Sequence, residues 1–321
     1  MEKTAAPHPP SSLLHLHPVL RPVFLAGPTA VGKSEVALLL AEQLGGEIIS
    51  VDSMQVYRGL DLGTAKPTAA ERQRVPHHLI DVVDLTAPFD AAKFGALAQT
   101  AVAEIQARGR VPIFCGGTGL YFKAFREGLG AAPPADEKLR AELEAAPLAE
   151  LLRELEQRDP ATFAAIDRQN PRRVIRAVEV IRLTGKPFSA QRASWNEEGR
   201  MKNEETMFAL TRKPDDLHAR INARGDTMFA AGLVEETRAL LPRGLEQNPT
   251  AMQAIGYRQV VEHLRGERPL AETVELVKIK TRQFAKRQLT WLRKHERVEW
   301  LELTAQSRPA EIVATILARR S

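Results

Sequence analysis

Gly27-Pro28-Thr29-Ala30-Val31-Gly32-Lys33-Ser34 stands between two stretches of different texture. Before it, Val19–Ala26 is a short apolar run that reads as a buried strand. After it, Val36, Leu39, Leu40 and Leu44 recur at helical spacing over Ser34–Leu44, and Gly45-Gly46 stops the helix. The eight residues fit G-x-x-x-x-G-K-[ST] in the strand-then-helix setting that gives this pattern its meaning. Glycines let successive N–H groups turn inward around an anion, and the helix N-terminus adds positive potential. Lys33 would neutralise a terminal phosphate, and the Ser34 hydroxyl is a candidate Mg²⁺ ligand. The pattern recognises a diphosphate but not its attachment: ATP, GTP and a prenyl diphosphate present the same charged end.

Working outward, Glu47–Val51 reads as a second strand, completing a βαβ unit. His78–Val83 is expected as a strand and Ala91–Ala107 as a helix stopped by Gly109. Val111–Cys115 is another short strand, followed by Gly116-Gly117-Thr118-Gly119. This alternation predicts an α/β fold: a P-loop NTPase-like parallel sheet with helices on both faces. The texture changes at GLGAAPPAD, residues 128–136, a linker by composition. Helices are expected over Glu137–Gln157, Phe163–Ile166 and Pro171–Leu183. The chain is therefore divided into a disordered leader (1–18), a catalytic core (19–130 and 201–321) and an inserted all-helical domain (131–200). The core resumes with a strand at Met207–Thr211 and long helices at Asp215–Leu241, Ala251–Leu264 and Ala271–Arg293. A last strand, Val298–Leu303, and a last helix, Ala310–Ala318, follow.

Composition excludes several classes. With 321 residues, 44% hydrophobic and 26% charged, the chain matches globular averages and can bury a large core. No apolar run approaches the roughly 18 residues a membrane-spanning helix needs. Cys115 is the single cysteine, so there is no internal disulfide and no cysteine-based zinc site. A cytoplasmic location is expected. Three histidines in the leader are read as part of a floppy tail. The net charge of +5 is modest, but its distribution is uneven. Seven basic residues and no acidic one lie between Lys278 and Lys294, and six between Arg172 and Arg192 oppose only Glu179. Two such tracts point to a polyanionic partner.

In an open parallel sheet, ligands gather at the carboxyl ends of strands. Asp52, just after Glu47–Val51, is therefore expected beside the phosphate loop, as a base or a water-mediated Mg²⁺ partner. Its competing reading is a helix N-cap. Thr118 follows the same logic in GGTG, to contact phosphate or orient an amine, against a plain turn that starts a helix. Cys115 reads as a buried strand residue rather than a nucleophile.

Together these stretches resemble the tRNA dimethylallyltransferase family (tRNA isopentenyltransferases), in its bacterial form. GPTAVGKS, DSMQVYRGLDLGTAKP, IFCGGTGLY, NPRRVIRAVEV, AMQAIGYRQ and KRQLTWLRK occur in the family's order, spanning about Val23 to Trp300. Ser34 stands where Thr is common in the family, and no second cysteine is available for the zinc finger of eukaryotic relatives. The resemblance implies attack by the N6 amine of an adenosine, 3′-adjacent to the anticodon (position 37), on C1 of dimethylallyl diphosphate, in tRNAs reading codons that begin with U. It implies Asp52 as base, with Lys33, Arg224 and Thr118 acting on the donor or the adenosine, and Mg²⁺ as cofactor. It implies contact with the tRNA anticodon stem-loop by Asp52, Ser53, Met54 and Gln55, by Arg172, Arg173 and Arg176, by Gln253, Gly256, Tyr257 and Arg258, and by Lys286, Arg287 and Arg293. Trp195, Trp291 and Trp300 read as core or hinge residues rather than stacking platforms. A monomer is expected. Alternative readings are an adenylate isopentenyltransferase acting on free nucleotide, a P-loop small-molecule kinase, and a non-catalytic RNA-binding P-loop protein. The inserted helices and basic tracts argue against a free-nucleotide substrate.

Overall fold

The strands marked as apolar runs bury both of their faces, which is what a parallel sheet covered on both sides requires. A computed structural model describes residues 20–130, 132–191, 206–294 and 298–320. The leader, the residues from 192 to 205 (with Trp195) and the first residue of the expected insertion lie outside the described residues. Six strands form one parallel sheet: β1 (Val23–Ala26), β2 (Glu47–Val51), β3 (His77–His78), β4 (Pro112–Gly116), β5 (Met207–Arg212) and β6 (Val298–Leu303). Their order is β3-β2-β4-β1-β5-β6, so β1 is central, flanked by β4 and β5.

Among the described residues thirteen α-helices accompany them: α1 (Lys33–Leu44), α2 (Ala69–Arg74), α3 (Ala91–Ala107), α4 (Gly119–Glu127), α5 (Glu137–Ala145), α6 (Leu148–Arg158), α7 (Pro160–Ala165), α8 (Pro171–Thr184), α9 (Pro214–Ala230), α10 (Leu233–Leu240), α11 (Tyr257–Leu264), α12 (Leu270–Leu292) and α13 (Pro309–Arg319). Alternate strand residues feed two cores. Phe24, Ile49, Phe114 and Met207 pack with α3, α4, α10 and α11 on one face. Leu25, Ile48, Ile113 and Phe208 pack with α1, α9 and α13 on the other. A third apolar cluster has its buried residues on helices α5, α6 and α8: Leu143, Leu151, Leu155, Val174, Val178 and Ile181 among them.

Four expected elements differ, each for a local reason. The helix expected over Glu137–Gln157 breaks at Ala146-Pro147, because a proline disfavours helical backbone in the residue before it and Ala146 is extended. Asp215–Leu241 divides at Gly232, whose φ of 101° is left-handed. Ala251–Leu264 begins as a short 3₁₀ turn, and the α-helix restarts after Gly256 at φ 104°. The strand expected at His78–Val83 is paired only over His77–His78. Leu79 and Asp81 turn it away at φ 61° and 58°, and an isolated bridge joins Val83 to Tyr57. Asp81 is held in that turn by Lys66 at 2.5 Å and Arg72 at 2.9 Å. Helix α2 was not anticipated: it is one short polar stretch with no buried residue, started by a Thr68–Glu71 capping box.

Candidate active site

All six strands run the same way, so the loops after β1, β2 and β4 emerge at one end of the sheet and meet there. Between them lies a cavity of about 520 Å³. Thr29, Ala30, Gly32, Lys33 and Ser34 of the phosphate loop form one wall. Asp52 and Gln55 form a second, Cys115–Gly117 a third, and Arg220 and Arg224 of α9 close it with Gln288 of α12. Gly27, Pro28 and Val31 lie behind the wall as the loop's buried support. The loop's shape depends on two glycines. A Cβ at Gly27 would come within 2.8 Å of the Leu210 carbonyl oxygen, and Gly32 caps α1 at φ 109°.

The cavity concentrates cations. Lys33 Nζ donates to the Pro28 carbonyl at 2.7 Å. Burial pushes its pKa down to about 8, and Asp52 across the cavity opposes that shift. Arg224 Nη1 donates to Thr29 Oγ1 at 3.3 Å, and burial lowers its pKa too. Arg220 Nε donates to the Ala30 carbonyl at 2.9 Å, so both α9 arginines grip the phosphate loop. Buried cations without an anionic partner are costly, and Lys33 and Arg224 beside the phosphate loop form a site that an anion would complete.

Asp52 Oδ1 accepts from the backbone N–H groups of Met54 (2.8 Å) and Gln55 (3.3 Å), a tight turn rather than a helix cap. Oδ2 has no hydrogen bond among the described residues. Gln55 is a loop contact: it accepts from the Ser50 hydroxyl and donates to the Thr64 and Ala65 carbonyls. Thr118 does not line the cavity. Its Oγ1 accepts the Ser53 N–H at 3.2 Å, tying the loop after β4 to the turn that carries Asp52. Cys115 lies on the cavity wall, where burial raises its thiol to about 11, so it is no thiolate nucleophile.

A family model described as IPP transferase matches residues 55–295. The chain is 46% identical over 289 residues to a tRNA dimethylallyltransferase of Geobacter metallireducens, covering 88% of this chain and 92% of the relative. It is 48% identical over 277 residues to that of Halorhodospira halophila, covering 84% and 88%. The chain belongs to the IPP transferase (tRNA dimethylallyltransferase) family. Two solved structures agree with the fold. The full-length tRNA isopentenylpyrophosphate transferase of Bacillus halodurans superposes with TM-score 0.67 at 41% identity, covering 93% of this chain and 96% of that one. A eukaryotic dimethylallyltransferase acting on tRNA superposes with TM-score 0.78 at 28% identity, covering 93% and 78%.

The remaining candidate residues of this tRNA dimethylallyltransferase family member lie outside the cavity, and they divide by exposure. Arg172, Arg173, Gln253, Arg258, Lys286, Arg287 and Arg293 are exposed. Arg172 Nη2 and Gln253 Nε2 donate to the same acceptor, the Pro249 carbonyl, at 3.0 and 2.9 Å, which joins the inserted helices to the turn before α11. Three expected RNA contacts are placed differently, two by burial and one by an internal ion pair. Tyr257 is 0% exposed, its hydroxyl donating to Glu236 at 2.5 Å and accepting the Gly63 N–H at 3.1 Å; it braces the core and presents no surface to RNA. Gly256 is buried beside it. Arg176 is committed to the buried Glu179 carboxylate at 2.6 Å, with Arg140 on the same oxygen. Trp291 is half-buried against Gly119, whereas Trp300 is exposed on the edge strand β6.

Arg220 and Gln288 were not among the expected site residues. Arg220 carried only a helix-face relation to Arg224. Gln288 did carry a signal: at Ala285, Gln288 and Leu292 it occupies an inward position of α12, where a polar residue needs a partner.

Proposed function

We propose that this chain transfers the dimethylallyl group of dimethylallyl diphosphate to N6 of adenosine 37 in tRNAs reading codons that begin with U. The products are N6-isopentenyladenosine and diphosphate. The observation that carries the reading is the convergence of a phosphate loop, the two α9 arginines Arg220 and Arg224 and the Asp52 carboxylate on a single cavity, in a chain of this family.

Lys33, Arg224 and the loop N–H groups hold the diphosphate and stabilise the charge that grows on it as the C1–O bond breaks. The adenine amine is a weak nucleophile because its lone pair is delocalised into the ring. Asp52 receives the proton that N6 loses as the N6–C1 bond forms, through the carboxylate oxygen left open by its turn. Thr118 holds that turn in place. The Ser34 hydroxyl lines the cavity one residue from Lys33. That fits Mg²⁺, which binds through few protein oxygens together with substrate phosphate oxygens. Bound there, the ion would neutralise part of the leaving group's charge.

The domain reading follows. Residues 19–130 and 201–321 carry the chemistry, and the insertion 131–200 meets the anticodon stem-loop with Arg172 and Arg173. Lys286, Arg287 and Arg293 grip phosphates from α12, supplying affinity and orientation rather than base identity. The target adenine leaves the loop stack to reach the cavity. No described helix is long and apolar enough to cross a membrane, and a cytoplasmic monomer fits the reading.

The test is nucleoside analysis after incubation with dimethylallyl diphosphate, Mg²⁺ and either unmodified tRNA or AMP. N6-isopentenyladenosine in tRNA and none in AMP is expected. Prenylation of AMP instead overturns the choice of substrate.

A further inference from the structure

The phosphate loop and the GGTG loop follow the paired strands β1 and β4. One side chain bridges the two loops. Gln288 of α12 accepts the Thr29 N–H through Oε1 at 2.9 Å and donates through Nε2 to the Gly117 carbonyl at 3.1 Å. It is 7% exposed and lies on the cavity wall. The fit is close: a Cβ on Gly117 would sit 2.1 Å from Gln288 Nε2. One turn further, a Cβ on Gly119 would sit 2.0 Å from the Trp291 ring. The glycines of GGTG are thus the floor on which α12 rests.

Thr29 is the junction of this bridge. Its backbone goes to Gln288 and its side-chain oxygen to Arg224 Nη1. We propose that Gln288 is a positioning residue for the donor: it fixes Thr29, and through Thr29 the Arg224 guanidinium, at the geometry that receives the diphosphate. The inference rests on reading the cavity as a diphosphate site. It assigns to α12 a role besides its exposed cations, since Lys286 and Arg287 are exposed within two residues of a side chain on the cavity wall.

Glutamine is suited to this position because one planar amide offers an acceptor and a donor at opposite corners. Methionine of nearly the same length and volume offers no donor and only a weak thioether acceptor. Gln288→Met therefore keeps the packing of α12 and removes both hydrogen bonds. Buried donors and acceptors left unpaired are costly, and a loop freed to relieve that cost loses its preset geometry.

The experiment measures inorganic diphosphate binding with Mg²⁺, and steady-state transfer to tRNA, for the full chain and for Gln288→Met, Arg224→Ala and the double variant. The expected result for Gln288→Met is about a tenfold rise in donor KM and in diphosphate Kd, with tRNA KM unchanged within twofold. If Gln288 acts through Arg224, the double variant is no worse than Arg224→Ala alone. Unchanged donor KM in Gln288→Met, or fully additive losses, overturns the proposal while leaving the diphosphate site standing. Failure of the unsubstituted protein to bind diphosphate overturns both. Should Gln288→Met not fold, Gln288→Asn retracts the amide by one methylene so that it cannot span both loops, and it carries the same expectations.

Discussion

Lys33 enters the cavity with its pKa pushed down to about 8 by burial. A diphosphate placed on the loop would restore full charge to it. Donor binding should therefore depend on pH in a window where an ordinary lysine shows nothing. A group with a pKa of 8 is roughly nine-tenths protonated at pH 7 and about one-tenth at pH 9. Binding that requires the charged form loses about tenfold in affinity across that interval, or ~1.4 kcal/mol. A lysine at its usual 10.5 would still be almost wholly charged at pH 9. Calorimetric titration with Mg²⁺–diphosphate between pH 6.5 and 9.5 measures this directly. Dividing by the profile of Lys33→Met removes the ligand's own ionisation. At pH 8, binding should also take up about half a proton, visible as a dependence of the apparent enthalpy on buffer. A flat ratio from pH 7 to 9, with no proton uptake, would refute the reasoning. The ligand-free protein gives a second check of sign. Between pH 8 and 10.5 the unfolded chain binds more protons at Lys33 than the folded one, so stability rises through that window. Lys33→Met should then stabilise the ligand-free protein at pH 7, with the advantage fading above pH 8.

Further substitutions separate recognition from support. Arg173→Ala should weaken tRNA binding and lower the slope of log affinity against log salt by about 1, with thermal stability unchanged. Arg176→Ala should instead cost about 1.5–3 kcal/mol of stability in urea unfolding, because it removes one cation from a Glu179 carboxylate that is 0% exposed. Equal salt slopes and equal stabilities for the two variants would contradict that division. Tyr257→Phe should cost about 1–3 kcal/mol in the same assay, leaving Gly63 N–H without its acceptor and Glu236 with the Leu62 N–H but without the tyrosine hydroxyl. Gly119→Ala forces a methyl into the Trp291 ring; an overpacking cost of about 1–3 kcal/mol should lower the melting midpoint, and an unchanged midpoint would show that α12 yields freely.

Much of this was legible because the decisive signals are local. The phosphate loop's spacing, the short strands β2 and β6 and the periodicity of α3 need only their own neighbourhoods, and their boundaries match the structure closely. Helix ends were less legible where a single residue overrides the pattern, as Pro147, Gly232 and Gly256 do. The short run after His78 reads as apolar strand, yet its turn is imposed by Lys66 and Arg72, which arrive from other parts of the chain. Thr118 was placed on the right loop, but only the fold shows that its hydroxyl faces the Ser53 amide. Tyr257 and Arg176 look exposed in a basic or glycine-rich context. Tyr257 is buried against Glu236, which its own stretch does not contain, and Arg176 is drawn to Glu179 three residues on, whose burial only the fold shows. Gln288 is the converse case, a polar residue on an inward stripe whose purpose appears only once two loops distant in sequence are brought beneath it.

The central claim is that Asp52 takes the N6 proton while the diphosphate is held by the opposite wall of the same cavity. Rapid-quench transfer of labelled dimethylallyl from its diphosphate to unmodified tRNA, with Asp52→Asn beside the unsubstituted protein and both substrates pre-bound, tests it most directly. The account predicts label in tRNA for the unsubstituted protein, and a transfer rate lowered by about 10²–10⁴ in Asp52→Asn with diphosphate and tRNA affinities each kept within a few-fold. An undiminished rate in Asp52→Asn, or a loss explained wholly by weaker binding, would contradict it.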